Sequence, residues 1–395
     1  MRVALVNKYW FLKGGAERVL FLTKELLETA GHEVVCFGMR DERNSIQNEF
    51  FTDPVDYTSR GMARIKNSVK TIHNTDAKKR FARFLDTYKP DVIHLHNIYH
   101  QLSFSILRPA KERGIPMVMT LHDYKMMSPN YTMYHHGKVD DTMVGGRYYR
   151  CLLTNCMENM GQSLVATLEA YLRQAKRYAD DIDAYLCPSE YVKHIALKAN
   201  LPKDRLHLVQ SPVPQYSKNE ETRSVDDGSI LYVGRLSEEK GLRTLLRVAE
   251  KTPNIPYIIV GDGPLRSELE RVNRPNVWFV GYRSSAEVRA YLRVARVLVM
   301  PSEWYEVSGL SMLEAINART FVIGADIGAI PEIVPQECLF PPKNVEKLLG
   351  MIERWYHASS DEREQVTSQL FEKVKNVHDP MQYIRKVIDI YDEVV

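Results

Sequence analysis

The sequence predicts an α/β fold made of two Rossmann-like domains facing across a cleft. Three observations predict it. Short apolar runs alternate with longer helical patterns, the alternation restarts after residue 225, and a polar, proline-containing stretch at residues 210–228 separates the halves. Such alternation marks βαβ units and parallel sheets. Ligands of open parallel sheets sit outside the carboxyl ends of the strands.

In the first half, the apolar run 3–6 predicts a strand. Residues 17–28 place Val19, Leu20, Leu22, Leu26 and Leu27 at helical spacing, and Gly31 and His32 end the helix. Further strands are expected at 33–37, 92–95 and 117–121. In the second half, strands are expected at 230–233, 257–260, 277–280, 297–300 and 321–323. Helices fall between, over 241–250 and 286–293. The expected division is therefore an N-terminal Rossmann-like domain over 1–209, a linker over 210–228 and a C-terminal Rossmann-like domain over 229–379, with a last helix over 380–395.

Composition narrows the function. The chain has 395 residues, enough for two cores. Its formal net charge of +3 gives no general affinity for nucleic acid. Five cysteines, odd in number and mostly far apart, fit a reducing compartment better than a disulfide scaffold. No secretory leader pattern opens the sequence, and no run approaches the roughly 18 apolar residues that span a bilayer. The expectation is a cytoplasmic protein whose membrane contact, if any, is peripheral and on the inner face.

Four segments carry chemistry. After the strand 230–233 come Gly234, Arg235, Lys240 and Gly241, and then a helix. Glycines admit a ligand to the backbone, Arg offers a planar fork to phosphate oxygens and Lys a point charge. This is either a diphosphate clamp or a solvated loop. Second, Glu306 precedes Ser308 and Gly309, and Glu314 follows on an apolar helix. Eight helical residues rise roughly 12 Å, more than the separation of a glycosidase carboxyl pair. The two glutamates suit a long ligand gripped at two places, or else lie on the surface. Third, Gly14 and Gly15 sit between the first strand and the first helix, without the third glycine of a dinucleotide fingerprint. That absence disfavours an NAD dehydrogenase. Fourth, His122 follows a strand and either contacts a substrate or is packed and satisfied by backbone. His94 and His96, alternating on one strand, read as structural.

Together these segments resemble the retaining glycosyltransferases of family 4, group 1 enzymes of the bacterial surface-polysaccharide type with the GT-B fold. The resemblance rests on residues 14–18, 120–123, 234–241, 260–264, the Glu306 and Glu314 pair, and 328–332. It implies that Arg235 and Lys240 bind the donor diphosphate and stabilise the leaving phosphate. Glu314 would hold the ribose, and Glu306 the donor-sugar hydroxyls. The amides of Val307, Ser308, Gly309, Leu310 and Ser311 would line sugar and phosphate, and Val280, Gly281 and Tyr282 the base. Gly14 and Gly15 would approach the phosphates, and His122 the sugar near its reacting carbon. The last helix would cross back onto the first domain. The resemblance implies no cofactor and no metal. The donor is a nucleoside-diphosphate sugar and the acceptor a glycan or a lipid-linked sugar. The donor phosphate itself would help deprotonate the acceptor, so no separate base is expected. A sugar-nucleotide epimerase and a non-catalytic sugar-nucleotide-binding protein are the alternatives. Arg319, Thr320, Ala329, and Gln210 with Ser211 depart from the family pattern, none at a donor ligand.

Two further features stand beside these. Cys151 and Cys156, with His135 and His136 upstream, lack the second cysteine pair of a tetrahedral zinc site; unpaired thiols in a mobile loop are expected. Asp181 and Asp183 read as a solvated helix end. Residues 60–89 hold nine Lys/Arg against Asp76 and Asp86, interleaved with Met62, Ile65, Val69, Ile72, Phe81, Phe84 and Leu85. This stretch is either a face for anionic lipid or a lipid-pyrophosphate acceptor, or a solvated basic helix pair.

Overall fold

The computed structural model describes residues 1–56, 67, 69–214, 226–272 and 274–395. These form two compact units. One comprises 1–136, 140–210 and 381–395, and the other 137–139 and 211–380.

The first unit holds strands β1 (Arg2–Val6), β2 (Glu33–Phe37), β3 (Val92–Leu95), β4 (Met117–Thr120), β5 (Ala184–Cys187) and β6 (Leu206–Leu208). They form one parallel sheet in the order β2-β1-β3-β4-β5-β6. Its helices are α1 (Gly15–Thr29), α2 (Thr75–Tyr88), α3 (Leu107–Glu112), α4 (Tyr149–Leu153), α5 (Met160–Ala175) and α6 (Glu190–Lys198). β3 and β4 are buried at every residue, which is why they read as apolar runs without alternation; β5, equally buried, was not expected from the sequence. Phe37 of β2 packs on Phe81 and Phe84 of α2, ring centres 4.8 and 5.4 Å apart.

The second unit holds β7 (Ile230–Val233), β8 (Tyr257–Val260), β9 (Val277–Gly281), β10 (Val297–Met300), β11 (Phe321–Ala325) and β12 (Leu339–Phe340). They are parallel, in the order β9-β8-β7-β10-β11-β12. Its helices are α7 (Leu242–Lys251), α8 (Arg266–Arg271), α9 (Ser285–Val294), α10 (Leu310–Asn317), α11 (Val345–His357) and α12 (Ser360–Val377). Ser284 and Glu287 close a capping box on α9, and Ser359 with Glu362 closes another on α12.

Each sheet reverses its winding once, between β1 and β3 in the first unit and between β7 and β10 in the second. Those are the switch points at which such sheets bind ligands. The last helix, α13 (Pro380–Val394), joins the first unit from Met381 onward. Tyr383 there meets the Thr23 hydroxyl at 2.7 Å, and the Tyr391 hydroxyl meets His94 Nδ1 at 2.7 Å.

Residues 215–225 of the expected linker lie outside the described residues, as do Arg60, Met62, Arg64, Ile65 and Lys66 of the basic stretch. Among the described residues no helix is long and apolar enough to cross a membrane.

Candidate active site

In the second unit the loops after β7, β8, β10 and β11 are bound to one another through backbone contacts that only glycine permits. A Cβ on Gly261 (φ +135°) would lie 1.9 Å from the Gly234 carbonyl oxygen. One on Gly241 (φ +68°) would lie 1.8 Å from that of Pro301. The Leu236 amide donates to the Asp262 carbonyl (2.9 Å), the Glu303 amide to Glu239 (2.8 Å) and the Ala329 amide to Glu306 (2.9 Å). Four loops thereby form one rigid rim at the β7/β10 switch point.

On that rim Lys240 and Glu306 meet. Lys240 Nζ lies 2.7 Å from Glu306 Oε1, and the Ser302 hydroxyl donates to the same oxygen at 2.6 Å. Glu306 is 4% exposed. Its Oε2 takes no hydrogen bond among the described residues, so that oxygen remains for a ligand. Lys240 also lies over the Trp304 ring, 4.8 Å from its centre. Arg235 is exposed, and among the described residues its guanidinium has no protein partner. Only its carbonyl is engaged, by the Tyr232 hydroxyl at 2.8 Å.

Gly309, at φ +64°, starts α10, the helix that carries Glu314. The left-handed turn leaves the amides of Val307, Ser308, Gly309, Leu310 and Ser311 without a protein acceptor among the described residues. With the helix dipole behind them, these N–H groups suit an anion. At the end of β9, Gly281 (φ +76°) accepts from the Gly261 amide at 2.9 Å and turns the chain. Val280 is half-buried and Tyr282 is 64% exposed. A cavity of about 300 Å³ lined by Pro331, Val334, Leu370 and Lys373 shows no comparable convergence of charge.

In the first unit Gly14 and Gly15 are exposed at the start of α1, directly after β1. His122 follows β4. Its Nε2 lies 2.8 Å from His96 Nδ1, and the two rings stack 5.0 Å apart. His94 sits on β3 between the Tyr391 and Thr120 hydroxyls, each at 2.7 Å. Burial lowers His94 to about 3 and His122 to about 4, and holds His96 well below its ordinary value. All three imidazoles are therefore neutral near pH 7. His122 can exchange hydrogen bonds with a sugar hydroxyl but carries no charge to a phosphate.

Sequence reasoning missed Ser302 and Trp304, the two residues that hold the Lys240–Glu306 pair. It also missed the buried ion pair of Lys125 with Glu169, at 2.6 Å. A polar residue four positions before a buried glutamate was the available signal for Ser302. One expectation is corrected: Cys151 and Cys156 are joined as a disulfide, not unpaired thiols. The last turn of α4 brings their Cα atoms to 4.6 Å, within bridging distance. In the described part of the basic stretch, Phe81, Phe84 and Leu85 are buried in the core, so α2 offers lipid its charges and not these apolar residues. Asp183 accepts from the Met117 amide at 2.8 Å and Asp181 pairs with Lys111, so both serve the fold. Among the described residues no three His, Cys, Asp or Glu side chains form a metal-holding group.

Two doubly wound parallel units, one bearing a cation, carboxylate and amide cluster at its switch point, define a GT-B protein. Residues 13–214 match the family model for "Glycosyltransferase Family 4" and residues 215–371 that for "Glycosyl transferases group 1". The chain belongs to glycosyltransferase family 4. Among curated relatives, the sulfoquinovosyl transferase SQD2 of Arabidopsis thaliana is 28% identical over 68% of this chain and 50% of its own length. The alpha-monoglucosyldiacylglycerol synthase of Acholeplasma laidlawii is 25% identical over 82% of this chain and 80% of its own. The chain thus spans half the plant relative's length. Among solved structures, sucrose-phosphate synthase from Thermosynechococcus elongatus superposes with a TM-score of 0.71 at 17% identity, over 100% of this chain and 98% of its own. Anabaena Alr3699/HepE in complex with UDP-glucose gives 0.66 at 15% identity, over 100% of both chains.

Proposed function

We propose that the chain transfers a sugar from a nucleoside-diphosphate sugar to a glycan or lipid-linked acceptor in surface-glycan assembly. In this reading it acts with retention, without a metal ion, and on the cytoplasmic side of the membrane. The observation that carries the reading is the convergence of Arg235, Lys240, Glu306 and the amides of Val307 to Ser311 on one glycine-bound rim. Breaking the sugar–phosphate bond builds negative charge on the diphosphate and positive charge on the sugar. Arg235 and Lys240 would stabilise the first, and the α10 amides would share it. Glu306, anchored through Oε1, would receive sugar hydroxyls on Oε2, and Glu314 would hold the ribose. Tyr282 would lie against the base, and Gly14, Gly15 and His122 would meet the donor from the first unit. The UDP-glucose complex of Alr3699/HepE supports a uridine donor. The name of the Acholeplasma relative supports a lipid acceptor. Lys70, Lys78, Lys79, Arg83 and Lys89 would add charge toward anionic lipid.

The test is a thermal-shift series with UDP, GDP, dTDP and ADP and their sugars, with EDTA present throughout, followed by transfer assays with the donor that binds. A shift confined to one nucleotide, kept in EDTA, followed by an α-linked product from an α-linked donor, is the expected result. No shift with any donor, activity abolished by EDTA, or epimerised donor as the sole product would each overturn it.

A further inference from the structure

Helix α5 is turned inside out. Its buried side carries Ser163, Thr167, Glu169 and Arg173, at 0%, 6%, 4% and 4% exposure, with only the small apolar Ala166 and Ala170 among them. Glu169 is paired with Lys125 at 2.6 Å, and the Arg173 guanidinium donates to the Lys125 carbonyl and faces the Phe104 and Tyr148 rings. Its outer side carries Met160, Leu164, Leu168, Tyr171 and Leu172, at 56%, 45%, 52%, 37% and 37% exposure. A surface helix of a globular domain normally shows the reverse distribution. Both halves of this arrangement cost free energy in water: a buried ion pair is desolvated, and a continuous apolar face is left wet.

The face extends beyond the helix. Tyr149 and Leu153, one turn apart on α4, are 52% and 76% exposed. The Tyr149 amide donates to the Tyr171 hydroxyl at 3.1 Å and the Thr167 hydroxyl to the Tyr148 carbonyl at 3.5 Å, so α4 runs along the edge of α5 that carries Ser163, Thr167 and Tyr171. Arg147, just before α4, and Lys176, just after α5, stand at the same end of the combined face, because a Cβ on Gly146 would lie 3.3 Å from Gln174 Nε2 and the Tyr148 and Tyr171 rings meet at 5.2 Å; Arg150 follows on α4. Among the described residues none of these three forms an ion pair. The only acidic residue on α5 is the buried Glu169. Beyond its ends, Glu158 receives the His136 amide and Asp180 pairs with Arg177.

We propose that this α4–α5 face seats on an anionic lipid bilayer. An apolar stripe, tyrosines at its margin and cations gathered at one end, without ion pairs among the described residues, match what an interfacial helix presents to acidic headgroups. A second copy of the chain fits less well. Neither helix presents an exposed carboxylate that could meet Arg147, Arg150 and Lys176 of a two-fold partner. The inference does not depend on the donor reading, because binding is measured without donor or acceptor.

The experiment is flotation of the full chain with vesicles of phosphatidylcholine alone and of phosphatidylcholine mixed equally with phosphatidylglycerol. The wild type should float with the mixed vesicles and not with phosphatidylcholine alone. The double variant Leu164→Gln, Leu168→Gln should lose at least tenfold in partitioning, and Arg147→Glu with Lys176→Glu should lose a comparable amount. Gln is a good helix former and both leucines are exposed, so far-UV circular dichroism and melting temperature should match the wild type. A wild type that does not float overturns the proposal. So do double variants that float as well as the wild type, or equal binding to both vesicle types. A wild-type dimer in sedimentation that the leucine variant abolishes, without flotation, would assign the face to a second copy and overturn the lipid assignment.

Discussion

Arg235 and Lys240 stand on one loop, yet the structure gives them different obligations. Lys240 neutralises Glu306, which is almost fully buried. Removing the lysine leaves that carboxylate without its cation, at a cost on the order of 3 kcal/mol. Lys240→Ala should therefore lower both the melting temperature and the transfer rate. Among the described residues the Arg235 guanidinium has no protein partner, so Arg235→Ala should leave stability within about 0.5 kcal/mol of the wild type. If the guanidinium meets the leaving phosphate, kcat should nevertheless fall by roughly 10²–10³. Paired melting curves and saturating-donor kinetics check this, and unchanged kcat in Arg235→Ala would remove the residue from the reaction. The histidines make a separate prediction. His94 and His122 are held at about 3 and about 4, below their ordinary 6.5. The unfolded chain therefore binds their protons first on acidification. Their neutral forms contribute stability that is complete above about pH 6.5 and is lost as the pH falls toward 4. Each adds up to about 1.4 kcal/mol per pH unit to that loss. Stability measured by denaturant between pH 7 and 5 should fall less steeply for His94→Gln than for the wild type, by about one proton. Parallel curves would show that His94 does not drive it.

At the scale of elements, the rim depends on backbone contacts more than on side chains. β7, β8 and β10 end side by side, and their loops approach so closely that Gly261 has a carbonyl where a Cβ would be. Gly261→Ala has to move that backbone and adopt a φ of +135°, which L-residues avoid. We expect a loss of at least about 2 kcal/mol and weaker donor binding, with α10 and its amides displaced. Differential scanning calorimetry and UDP titration would show both. A variant with wild-type melting and UDP affinity would mean the rim is not rigid. β1 to β4 and β7 to β11 were legible because burial makes a run of four or five apolar residues hard to mistake, whereas β5, β6 and β12 were not expected, β6 and β12 being only two or three residues long. Helix α7 was legible from its spacing and from the glycine before it. The orientation of α5 was not, because periodicity marks which residues share a face and not which face turns inward. Leu164, Leu168 and Leu172 form the stripe that the pattern alone would bury.

At the scale of the molecule, two units with independent cores and one switch point each divide the chemistry. The cations, the glutamates and the free amides lie in the second unit, and the neutral histidine cluster in the first. If, as proposed, side chains and backbone alone meet the charge at the leaving group, activity should persist in excess EDTA within about twofold. A metal-dependent recovery would contradict the proposal. The alternation of strands and helices, the linker and the order of the glycine, Arg–Lys and Glu–Glu motifs were set by the sequence itself, because burial and turn chemistry act over a few residues. Only the tertiary structure decided that Lys240 closes on Glu306, that Ser302 supports it, that His96 backs His122 and that Cys151 bridges Cys156. Those contacts depend on distances between loops, and pairwise distance is not written in local pattern. Cysteine parity, for instance, argued for free thiols while a 4.6 Å Cα separation joined two of them. The same reason put Glu169 and Arg173 inside and a leucine face outside: a helix exposes whichever side its neighbours do not cover.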